Sequence, residues 1–153
     1  DGSLWAGMYS TGLVNWKNGK VLESVSAGSP LFGSQIRALL EDRHGNLWIG
    51  TSRGVYRKNG ADLKHFDEAQ GLPREFTLGL FESKSGRIWV GTANGLGYID
   101  GDKAGAVDIS AYAQSEDVFG FSEDPDGTLW ISTDRAILRL RDGPSSRRIE
   151  GPG

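Results

Sequence analysis

Four times along this chain a tryptophan follows a tight turn and precedes a small residue. Leu47-Trp48-Ile49-Gly50-Thr51 is the fullest copy. Leu4-Trp5-Ala6-Gly7, Ile88-Trp89-Val90-Gly91-Thr92 and Leu129-Trp130-Ile131-Ser132-Thr133 repeat it. The tryptophans stand 43, 41 and 41 residues apart, and four of the five in the chain keep this period. A fixed period of about 40–45 residues marks a solenoid, a propeller or an array, in which each unit is too small to bury a core alone and must stack on its neighbours.

The content of each repeat is read from its turns. Asp1-Gly2, His44-Gly45, Ser85-Gly86 and Asp126-Gly127 lie just ahead of the tryptophans, and glycine there supplies the positive φ of a hairpin turn. Asn18-Gly19, Asn59-Gly60, Asp100-Gly101 and Asp142-Gly143 mark a second hairpin in every copy. Between them a small residue recurs at Gly54, Gly95 and Ala136, with Gly12 one step later in the first copy. Two hairpins and a bend between them make four strands. In one full period these are expected at Phe76 to Glu82, Arg87 to Thr92, Leu96 to Asp100 and around Ala106 to Ile109. The first strand recurs as Ile36 to Asp42 and Val118 to Asp124 and carries a small residue at Ala38, Gly79 and Gly120, which suits an innermost strand near an axis. The second strand is apolar or small on both faces, so it needs a neighbour on each side. Four-stranded antiparallel sheets stacked around an axis meet that need as a β-propeller; an open solenoid is the competing solution.

Composition adds exclusions. A net charge of −3 and a pI near 5.4 speak against a nucleic-acid surface. With no cysteine, disulfides and thiolate metal sites are excluded. No apolar run approaches the length that spans a membrane. The 23 glycines, without a collagen period, fit many tight turns. The chain opens inside a repeat without an initiator Met, so it is expected to be part of a longer protein.

Asp42-Arg43-His44-Gly45-Asn46-Leu47-Trp48-Ile49-Gly50-Thr51, with Gly54-Val55 following and the lead-in Gly71-Leu72-Pro73, closely resembles the two-component regulator propeller repeat. The resemblance covers essentially the whole chain. It implies an extracytoplasmic sensor segment, of the kind that precedes a membrane helix and a histidine kinase or diguanylate cyclase module. In several gut bacterial members the ligand is a glycan fragment. Three positions depart from the pattern: Ser132 for the motif glycine, Ala136 for the second glycine, and Met8 for the threonine.

Candidate chemistry is sparse. Glu123-Asp124-Pro125-Asp126-Gly127 has part of a calcium loop but lacks its closing glutamate. Glu41, Glu82 and Glu123 recur with the fold, and equivalent carboxylates do not make an asymmetric acid–base pair, so strand-end solvation or a hydrogen bond between blades is expected. His44 occupies a turn position, and His65 stands alone in a fourth strand. Trp16 is either a stacking platform or, as the preferred reading, core. Phe32 and Tyr112, in connections between repeats, join Trp16 as candidate ligand contacts.

The expected architecture is therefore all-β, a propeller segment of about 3.75 four-stranded blades: 1–28 (partial), 29–70, 71–110 and 111–153. Trp5, Trp48, Trp89, Trp130, Gly7, Gly50 and Gly91 form its structural repeat. Catalytic residues, cofactor and metal are expected to be absent. A carbohydrate or other small ligand and further blades of a parent chain are the expected partners, with neither nucleic acid nor membrane insertion. A propeller enzyme, lyase or hydrolase, and a purely structural interaction propeller are the alternatives. The open ends are expected to leave Leu4 and Ala6, and Leu129 and Ile131, with one uncovered face.

Overall fold

A computed structural model describes residues 2–9, 12–25, 28–74, 76–110, 117–142 and 147–150, with the backbone alone at 142 and 147–150. Four antiparallel meanders follow one another along the chain. The first has three strands, β1 (Leu4–Met8), β2 (Gly12–Lys17) and β3 (Lys20–Ser24). The second is β4 (Ile36–Glu41), β5 (Leu47–Thr51), β6 (Gly54–Asn59) and β7 (Asp62–Phe66). The third is β8 (Thr77–Glu82), β9 (Ile88–Thr92), β10 (Gly95–Asp100) and β11 (Lys103–Val107). The fourth is β12 (Val118–Glu123), β13 (Leu129–Thr133), β14 (Ile137–Asp142) and β15 (Arg147–Glu150). The chain is all-β, with a single 3-10 turn at Glu68–Gln70 among the described residues.

Inside each sheet the motif residues hold the turns. The indole Nε1 of Trp48 donates to Asp42 Oδ2 at 2.8 Å, and Trp130 makes the same bond to Asp124. Asp42 also accepts from the backbone of His44 and Asn46, which fixes the turn around Gly45 (φ 79°). The motif threonines close the bend between the second and third strands. Thr51, Thr92 and Thr133 donate to the carbonyls of Gly54, Gly95 and Ala136 at 2.9, 3.0 and 3.1 Å. Met8 has no hydroxyl for that bond.

The core lies between the sheets. Leu47 and Ile49 pack with Leu13, Leu31 and Trp5 of the preceding segment. Trp48, on the other face, packs with Ile88, Val90 and Ile99. Trp89 in turn packs with Leu129, Ile131 and Leu140. The faces of Trp5, Trp48 and Trp89 are thus covered by the leucine- or isoleucine-bearing face of the next sheet. The innermost strands β4, β8 and β12 stand in succession, with β1 against β4. Close approach at this point explains the motif glycines. A Cβ on Gly7, Gly50 or Gly91 would come within 3.0 Å of Ile36, Thr77 or Val118, the first residue of the next inner strand.

Four expectations change. The fourth strand of the third sheet runs Lys103–Val107, because the two-residue turn at Gly101-Asp102 obliges Lys103 to pair with Asp100. Each inner strand carries a register shift after its first residue, at 36/38, 77/79 and 118/120, which period-2 reading does not reveal. Trp16 is not core: it is 45% exposed, paired with Leu4 and Val21 on a sheet face that the described residues leave exposed. The uncovered face at the far end is not that of Leu129 and Ile131, which are 3% and 0% exposed, but that of Trp130, with Ile137 and Phe119 also exposed. All joints have the same polarity, so the two ends expose opposite kinds of face.

Candidate functional site

Two of the three repeated glutamates, Glu82 and Glu123, join neighbouring sheets. Glu82 Oε2 accepts the backbone N–H of Arg43 at 2.9 Å and pairs with its guanidinium. Arg43 also donates to the carbonyls of Ser83 and Lys84. Glu123 accepts the N–H of Lys84 at 2.7 Å, and Lys84 Nζ reaches the Asp124 carbonyl. At the outer end of the joint between the second and third sheets, Arg57 crosses from Trp48 to the Gly101 carbonyl and the Asp102 carboxylate. The blade-to-blade hydrogen bond expected of the repeated glutamates is what Glu82 and Glu123 make. The basic staples Arg43, Lys84 and Arg57 were not singled out from sequence, although Arg43 and Lys84 share one position of the repeat.

Electrostatics follow the same pattern. Burial pushes the Asp42 carboxyl up, but the hydrogen bonds from Trp48, Asn46 and His44 outweigh it and hold its pKa below the ordinary aspartate value. Asp102 is also lowered, by Lys64 and Arg57. Asp126 is lowered by its bonds to Thr128. In the acidic stretch 123–127, Glu123, Asp124 and Asp126 each accept a protein hydrogen bond. No three His, Asp or Glu side chains converge on one point among the described residues.

The candidate residues do not gather at one place. Trp16 lies on the open face of the first sheet, while Phe32 sits in the turn leading to the second sheet and is 47% exposed. Tyr112 lies outside the described residues. His44 is in its turn as expected. His65 stacks on Tyr56 at 4.2 Å, with Nε2 2.6 Å from the Arg53 carbonyl and Nδ1 3.7 Å from Asp67.

A crevice of about 200 Å³ opens between the first two sheets. Leu13, Val25, Leu31 and Leu63 floor it, and the ion pair of Lys58 and Glu23, 3.0 Å apart, forms one wall. It exists because short residues replace the long staple of the next joint. Asn15 stands across from Trp5 where Arg57 stands across from Trp48, and Ala61 takes the turn position of Asp102. The Asn15 amide oxygen is buried without a partner. Such a crevice can hold a small solute, and the Lys58–Glu23 ion pair is the acid and base of its described lining.

Comparison with known proteins bears on both fold and family. The model described as "two component regulator propeller" matches residues 30–53 and 113–135. No curated protein matches by sequence. Among solved structures, the chain superposes on an extracellular domain from B. thetaiotaomicron assigned to the hybrid two component system BT3049. The TM-score is 0.80 at 21% identity, over 99% of this chain and 22% of that one. The corresponding domain of BT4673 gives 0.73 at 18% identity, over 98% and 23%. Virginiamycin B lyase from Staphylococcus aureus gives 0.72 at 14% identity, over 97% and 51%. The chain therefore spans less than a quarter of the sensor domains and about half of the lyase. The family model is thus found at two of the four tryptophan motifs, and the chain is similar there to the two-component regulator propeller repeat, while the solved structures share its fold.

Proposed function

We propose that this chain is a non-catalytic, ligand-sensing propeller segment on the periplasmic or extracellular side of a two-component sensor. The parent would carry a histidine kinase or diguanylate cyclase module and further blades. The observation that carries this reading is that repeating polar residues such as Glu82, Glu123, Asp42 and Asp124 are engaged within sheets or between them, in a chain that matches the regulator propeller model at two motifs. The described residues include no helix long and apolar enough to cross a membrane. The ligand class is a glycan fragment or similarly small polar solute, and Phe32, exposed and next in the chain to Leu31 of the crevice, is its first contact to test.

The likeness to streptogramin B lyase, with a TM-score of 0.76 at 15% identity, keeps a lyase as the second reading. One pair of assays separates the two. A thermal-shift screen against glycan fragments is expected to yield a ligand that raises the Tm, with the shift reduced in Phe32→Ala. Turnover of a streptogramin B or of glycans, with or without EDTA, is expected to be nil. Reproducible turnover would establish the enzyme reading in its place.

A further inference from the structure

The joint between the first two sheets departs from the others at the residues that face across it. Lys58 stands opposite Leu47, the position that Ile99 and Leu140 hold in the third and fourth sheets. Ile99 and Leu140 are fully buried aliphatic core, whereas Lys58 brings an ammonium to the same place. Its Nζ lies over the Trp5 ring at 5.5 Å, donates to the Gly60 carbonyl and meets Glu23 at 3.0 Å. Across from Glu23 in the register of β2 and β3, Asn15 holds its amide oxygen buried without a partner.

Lys58 and Glu23 thus set a cation and an anion on the wall of the 200 Å³ crevice, above a floor of Leu13, Val25, Leu31 and Leu63. An apolar hollow with a few fixed polar groups is the usual form of a small-molecule site. The pair is asymmetric. Lys58 is 17% exposed and held by Trp5 and Gly60, while Glu23 is 51% exposed on a strand that is exposed throughout. An ion pair with so open a partner contributes little to stability, so Glu23 can swing aside at small cost. The joint then calls for a carboxylate at Lys58, an N–H donor for Glu23 and Asn15, and an aliphatic body for the floor.

We propose that the crevice binds a free α-amino acid with an aliphatic side chain, inserted into the Lys58–Glu23 pair. Its carboxylate lies on Lys58, its ammonium between Glu23 and the Asn15 amide oxygen, and its side chain on the leucine floor. The proposal rests on the sensing reading above and names the solute: a zwitterion matches both charges of the wall. A neutral sugar matches neither charge and sets its hydroxyls against four aliphatic side chains. A simple carboxylate leaves Glu23 without a counter-charge, and a simple amine does the same to Lys58. Lys58 belongs to the second sheet and Glu23 and Asn15 to the first, so the bound amino acid spans the joint.

Isothermal titration with L-leucine is the test. L-Leucine is expected to bind at a single site. 4-Methylpentanoate, 3-methylbutylamine and glycine lack the ammonium, the carboxylate and the side chain in turn, and each is expected to bind at least about tenfold more weakly. Glu23→Gln and Lys58→Leu are each expected to weaken leucine binding at least about tenfold. Lys58→Leu installs the residue of the fourth sheet, and circular dichroism checks its fold; Glu23→Gln, on an exposed strand, keeps the test decisive if that variant fails to fold. No saturable leucine binding up to about 10 mM would overturn the proposal, and so would an unchanged affinity in Glu23→Gln. A glycan that raises the Tm of a chain blind to leucine would also overturn it while sustaining the sensing reading. Turnover of a streptogramin B by a chain that binds leucine would overturn the sensing reading and sustain the site.

Discussion

At the scale of single residues, Trp48, Trp89 and Trp130 are not equivalent despite their identical spacing. Trp48 and Trp89 are each 3% exposed, whereas Trp130 is 36% exposed. Truncating a buried Trp costs about 3–5 kcal/mol, so Trp48→Ala is expected to lose that much in urea denaturation. Trp130→Ala should lose less than half of it, and equal losses would mean that the last face is covered in solution. The carboxylate beneath Trp48 supplies a second prediction. The folded pKa of Asp42 is depressed, so its contribution is present above the unfolded value of about 3.9 and is lost as pH falls through the folded value. Asp42→Ala should therefore destabilise at neutral pH by about 1–3 kcal/mol, since it leaves a buried indole N–H unpaired. Its stability should also fall less steeply below pH 4 than that of the unaltered chain, and parallel pH profiles would refute the assignment.

At the scale of elements, the second strand's glycine and the next sheet's inner strand form one unit. A Cβ on Gly50 would lie 2.6 Å from Thr77 Cγ2, and Thr77 is fully buried. Gly50→Ala is expected to cost about 1–3 kcal/mol by overpacking. Thr77→Ser removes the offending methyl, so the double variant should recover part of the loss in a double-mutant cycle. Simple additivity would show that the joint yields elsewhere. The glutamate staple is more exposed and weaker: Glu82→Gln keeps an acceptor for the Arg43 N–H, and a loss of only about 1 kcal/mol or less is expected in chemical denaturation.

Across the whole molecule, stability is graded. The first sheet has three strands among the described residues, all five residues of β3 are exposed, and so are Leu4, Trp16 and Val21. β5 and β9 are buried along their whole length between neighbours. Hydrogen exchange should therefore open β1–β3 at far lower free energy than β5 or β9. Protection of β3 equal to that of β9 would mean that a further surface covers it.

Much of this was legible in the sequence because it depends on neighbours along the chain. The period of the tryptophans, the Asx-Gly turns and the two apolar faces of the second strand specify four-stranded units that must stack. They also located the glutamates that join them. Strand ends were displaced where a two-residue turn or a bulge altered the register, since one inserted residue leaves no mark in an alternating pattern. Stacking polarity was beyond reach, because both faces of Leu47-Trp48-Ile49 are apolar and hydrophobicity alone does not say which face meets the next sheet. Only the packing of Trp48 against Ile88 and Val90 decided that. The same decision exposed Trp16 and Trp130 and separated Phe32 from Trp16.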